Sequence, residues 1–195
     1  MVMKVSTRRW FAAALVASVA GGANAATYTF GTLLSGPGAP ASPSFATLNA
    51  NVVGADVQFT LNAFGLDLFT GSTPFIGSMA VDGTQTGSVS NVSGGGVTSV
   101  AIANGSAPGG YWDFRFGFGG GSDKLIDNET VSWTWVGGAG NYTNFATHVQ
   151  GIAYGSSGST ESAWYTPAIP EPSGYQLGLA GLAVAAFVAI RRRPD

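Results

Sequence analysis

The middle of the chain alternates. Over residues 56–64, Val57, Phe59, Leu61 and Ala63 fall on one side and Gln58, Thr60 and Asn62 on the other, the period of two that a half-buried strand needs. Residues 111–118 set Trp112, Phe114, Phe116 and Phe118 against Asp113 and Arg115, and residues 130–136 align Val131, Trp133 and Trp135. The same reading predicts strands over 27–30, 46–53, 75–81, 87–92, 97–103, 145–154 and 163–166. Clusters of Gly, Ser, Asn and Pro at 35–43, 94–96, 119–121 and 137–140 separate these runs as turns. Ten short strands with polar turns predict an all-β body, an antiparallel jelly-roll-like β-sandwich. No helical period of ten residues occurs outside the two ends, and no fixed-period repeat suggests a solenoid.

The ends follow a different pattern. Lys4, Arg8 and Arg9 precede an apolar run from Trp10 to Ala20, and Ala23-Asn24-Ala25 supplies small residues for a cleavage site. These are the three parts of a secretory signal peptide, residues 1–25, with cleavage expected between Ala25 and Ala26 by signal peptidase. Thr7-Arg8-Arg9-Trp10-Phe11 half-matches a twin-arginine signal, although basic pairs are common in such segments. The predicted body then occupies residues 26–166.

Residues 167–195 form a second signal. From Tyr175 to Ile190 the chain carries no charge, and a helix over 175–190 would reach ~24 Å at ~1.5 Å per residue, against a hydrocarbon core of ~30 Å. Tilt and local thinning cover the difference. Arg191, Arg192 and Arg193 hold the far end in the cytoplasm, which leaves the body outside. Pro170-Glu171-Pro172 precedes the hydrophobic stretch, and its two prolines keep the backbone extended and short of donors. Pro-Glu-Pro, a short hydrophobic span and a terminal Arg cluster, in that order, resemble the PEP-CTERM sorting signal of Gram-negative bacteria. Ala146-Thr147-His148-Val149-Gln150-Gly151-Ile152, followed by Ser162-Ala163-Trp164, is similar to the end of the passenger domain in many such proteins. The resemblance implies recognition of Pro170, Glu171, Pro172 and Arg191 to Arg193 by an exosortase, a membrane transpeptidase-like enzyme. It also implies a transient inner-membrane anchor, followed by release or transfer at the cell envelope.

Composition narrows the body's chemistry. Thirty glycines and 9% charged residues suit tight turns and strands, and twelve Phe, five Trp and six Tyr supply a core. Between residues 26 and 172 stand two basic residues, Arg115 and Lys124, against nine acidic ones. That balance disfavours nucleic acid and anionic membrane surfaces as partners. The absence of cysteine rules out a disulfide scaffold, a thiolate nucleophile and a Cys-ligated zinc site.

Candidate chemistry is sparse. His148 is the only histidine and shares its strand face with Ala146, Gln150 and Ile152; without a Gly-x-Ser-x-Gly elbow it is read as a structural strand residue. Asp123, Asp127 and Glu129 are the densest acids and the one candidate calcium set, set against a plain solvated loop. Asp113 and Glu129 are a conceivable carboxylate pair for glycoside hydrolysis, on neighbouring strands. Trp112, Trp133, Trp135 and Trp164 are candidates for stacking on sugar rings, although alternating strand positions favour the core. The sequence therefore predicts a non-enzyme with no required cofactor: an exported structural protein of the cell surface or of an exopolysaccharide-rich biofilm matrix. The alternative is a secreted carbohydrate-binding sandwich, calcium-assisted, whose partner is an extracellular polysaccharide.

Overall fold

Every alternating run forms a strand. The computed structural model describes residues 25–36, 44–70, 73–105, 112–119, 123–154 and 159–167. The strands are β1 (Ala25–Ser35), β2 (Ala46–Val53), β3 (Asp56–Ala63), β4 (Phe75–Gly83), β5 (Ser88–Ser93), β6 (Val100–Asn104), β7 (Phe114–Phe118), β8 (Thr130–Val136), β9 (Tyr142–Tyr154) and β10 (Ser159–Pro167). Among the described residues the only helical element is a 3-10 turn at Leu66–Leu68, and no helix is long and apolar enough to cross a membrane. The predicted signal-peptide residues 1–24, with Ala23, lie outside the described residues. So do the hydrophobic stretch 175–190 and Pro170, Glu171, Pro172, Arg191, Arg192 and Arg193.

The ladder differs from a two-sheet jelly roll. All ten strands join one antiparallel sheet in the order β5-β8-β3-β2-β1-β10-β9-β4-β7-β6. The sheet turns its corner in β1. Ala25 to Phe30 pair with Asn51 to Ala46 of β2, whereas Phe30 to Ser35 pair with Pro167 to Trp164 of β10. Register slips between Phe30 and Thr32 and between Leu33 and Ser35 bend the strand there, as bulges do where a strand serves two layers. The two halves then face each other, and the edge strands β5 and β6 come together without a ladder between them among the described residues. The sheet is nearly closed.

The interior is aromatic because the predicted faces point inward. Val57, Phe59 and Leu61 of β3, Phe114 and Phe116 of β7, and Trp133 and Trp135 of β8 are all buried. Phe59 bridges the halves: its ring lies 5.7 Å from Phe116, 5.2 Å from Trp133 and 5.6 Å from Phe145, centroid to centroid. Such tilted and edge-on contacts suit ring quadrupoles.

Among the described residues strand direction alternates from each strand to the next in sequence, since every neighbouring pair is antiparallel. With ten strands, β1 therefore starts and β10 ends toward the same pole. Ala26, the expected first residue after signal cleavage, sits inside β1 opposite Ala50.

Candidate functional site

Two faces of the sheet carry candidate residues, and the structure divides the tryptophans between them. Trp133 and Trp135 are 1% and 0% exposed, and the Trp135 indole donates to the Thr86 carbonyl at 2.6 Å. Neither is open to a ligand, so their reading as sugar-stacking residues is corrected: the alternation that aligned them serves the core.

Trp112 goes the other way. It was expected to join Phe114, Phe116 and Phe118, but it packs on the outer face against Ala80, Ala146 and Trp164. The cause is local. Val81 stands opposite Phe114, yet its carbonyl accepts the amide of Asp113 at 3.1 Å. The Asp113 carboxylate takes the Gly83 amide at 2.8 Å. Two residues thus oppose one, and this bulge-like step resets the alternation before Trp112.

The three acids of the candidate calcium set are turned to separate partners near the pole opposite the chain ends. Asp123 accepts the Thr98 hydroxyl at 2.5 Å, and Glu129 accepts the Ile126 amide at 3.0 Å. Asp127 accepts the Leu66 amide and the Asn128 side-chain amide, both at 2.7 Å. Among the described residues no three acidic or histidine side chains gather as metal ligands. Asp123 and Asp127 tie the β7–β8 connection to its neighbours, and Glu129 closes a turn within it. Asp113 and Glu129 do not form a hydrolytic pair either, because β7 and β8 are not ladder neighbours and the two residues precede strands that start at opposite poles.

His148 lies on the outer face of β9. Its ring stacks on Trp164 with centroids 4.3 Å apart and planes 6° from parallel. Burial, with a smaller contribution from the Arg115 charge, pushes its pKa down to about 4. At neutral pH the ring is therefore uncharged, and Nδ1, 3.1 Å from Gln150 Nε2, accepts the amide's hydrogen bond.

Ile152 does not share this face, contrary to expectation. Glu161 pairs with Ile152 and Ser162 with Gln150, so Gly151 is the extra residue of a bulge, at φ +77°. Ile152 swings inward and is buried. A second extra residue, Gly77, lies in β4 between Ile76, opposite Val149, and Ser78, opposite His148. A Cβ at Gly77 would come within 2.7 Å of Gln150 Oε1, so glycine there leaves room for the amide to lie across β4.

The two bulges flank a cleft of about 410 Å³ lined by Phe75, Gln150, Gly151, Glu161 and Ser162. The Lys124 ammonium stands 4.5 Å from the Phe75 ring centroid beside it. Sequence reasoning named none of the lining residues as a site. The available signal was an isolated glycine inside each of two strand patterns, which marks a bulge or a close backbone approach.

The class defined by this architecture is an all-β, nearly closed antiparallel body whose last described strand ends at Pro167. The sequence after it is specific. Residues 168–193 match the family model of the PEP-CTERM protein-sorting motif, so the chain carries that motif at its C-terminal end. The motif marks an exported substrate of an exosortase, a membrane enzyme. No match was found among curated proteins or among solved structures.

Proposed function

We propose that this protein is a structural component of the cell surface or extracellular matrix. In this reading it is held briefly at the inner membrane by its tail and then passed by an exosortase to an exopolysaccharide-rich biofilm layer. The observation that carries the reading is the position of the sorting motif, whose first residue, 168, follows the last residue of β10. A body with most of its described aromatics gathered into one core suits a stable passenger. Deleting Pro170 to Pro172 tests the sorting step: the variant should accumulate in the membrane fraction while wild type appears at the surface or in the medium. Normal release of the variant would overturn it.

The second reading, a carbohydrate-binding body, is favoured by one observation, the polar cleft between the bulges on the outer face.

A further inference from the structure

The outer-face cleft has features that a matrix filler does not need. β-Bulges concentrate beside functional sites because they re-aim side chains, and here one in β4 and one in β9 stand on either side of Gln150. The Gln150 amide is oriented by its neighbour: Nε2 is engaged by His148 Nδ1, which turns Oε1 toward Gly77. The imidazole is itself fixed by its stack on Trp164. Glu161, opposite Ile152 and on the other side of β10 from Ser162, reaches the cleft only at its rim; it is exposed, and its carboxylate has no hydrogen bond or ion pair among the described residues. Ser162 adds a hydroxyl and Phe75 an apolar wall.

We propose that this cleft binds a pyranose unit of a non-acidic polysaccharide, with Gln150 and Glu161 accepting hydrogen bonds from sugar hydroxyls and Ser162 completing the set. The inference rests on the carbohydrate-binding reading and gives it a location. Vicinal hydroxyls are donors, and the cleft offers an amide oxygen and a carboxylate, which suits that chemistry. Charge selects further: Lys124 stands over the Phe75 ring at one side of the cleft, but Glu161 and a body with nine acids against two bases over residues 26–172 outweigh it and disfavour uronic acids and sulfated sugars.

The test uses the full chain purified in detergent, titrated calorimetrically with hexasaccharides of glucose, galactose, mannose, glucosamine and a uronic acid. At least one non-acidic oligomer should bind and the uronic acid oligomer should not. Glu161→Gln and Gly77→Ala should each weaken binding about tenfold, the loss of roughly one good hydrogen bond. Glu161→Gln should leave the melting temperature unchanged. Gly77→Ala displaces only the flexible end of Gln150, and Ser162→Ala replaces it in the test if it melts early. Wild type that binds a non-acidic oligomer, with variants binding equally well, would keep the carbohydrate reading and overturn the site. A folded wild type that binds none of the non-acidic oligomers would overturn both, and a preference for the uronic acid oligomer would overturn the assigned sugar class.

Discussion

His148 and Trp164, opposite each other on β9 and β10, lie face to face at 4.3 Å. The pair explains why the only histidine titrates low: one face of its ring is covered by an indole, and Arg115 adds a positive charge nearby.

Acid should therefore destabilise the body through this residue. In the unfolded chain the imidazole titrates near 6.5, and in the fold at about 4, so between those values the unfolded state binds more protons. The contribution is fully present above pH 6.5 and is lost as pH falls toward 4. Partial exposure of the ring screens the effect, leaving a loss on the order of 1–2 kcal/mol. Urea titrations at pH 7 and pH 4 measure it. In His148→Gln this histidine-dependent part of the pH slope should vanish; an unchanged slope would assign the acid response to the carboxylates.

The two faces of the sheet should respond differently to truncation. Trp135 is fully buried against Phe114 and Phe116 and holds the Thr86 carbonyl, so Trp135→Ala should cost about 3–5 kcal/mol. Trp112 is only partly buried on the outer cluster, and Trp112→Ala should cost on the order of 1–2 kcal/mol. Equal losses in chemical denaturation would place Trp112 in the main core after all.

Thr147 presents the opposite case. Its residue is fully buried, and its hydroxyl has no hydrogen-bond partner among the described residues. Valine has nearly the same shape without the polar atom, so Thr147→Val should raise stability by about 1 kcal/mol. A lowered melting temperature would reveal a partner for the hydroxyl.

Asp127 should matter through the Leu66 amide it accepts rather than through a metal. Asp127→Ala should cost about 1–2 kcal/mol, and the same loss should appear with millimolar calcium or with a chelator. A wild-type melting temperature that rises with calcium would restore the acids as a metal site.

Strand existence was legible and strand arrangement was not. The alternation of Val57, Phe59 and Leu61 gave β3 its inner face, and all ten predicted runs became strands. Boundaries moved where side chains were ambiguous: β9 begins at Tyr142, ahead of the predicted Phe145, because Tyr142 to Asn144 mix polar and aromatic residues. The ladder order depends on pairings such as β3 with β8, about seventy residues apart, which no local pattern encodes. The candidate site failed for a related reason. Gly77 and Gly151 were visible as glycines within strands, but which side chains a bulge re-aims depends on the partner strand's register. Trp112 was misplaced in the same manner, by a step at Asp113 that only the opposing Val81 defines.

The common pole of β1's start and β10's end has a mechanical consequence. The cleft residues Phe75, Glu161 and Ser162 sit near the beginnings of β4 and β10, at the pole away from the tail. A polymer gripped there and a membrane holding the tail would pull along the strand axes. Antiparallel ladder bonds run across those axes, so the bonds joining β10 to β1 and β9 would bear the load together in shear, not peel open one by one. So loaded, the body would carry tension along its strands and resist it with two whole ladders at once.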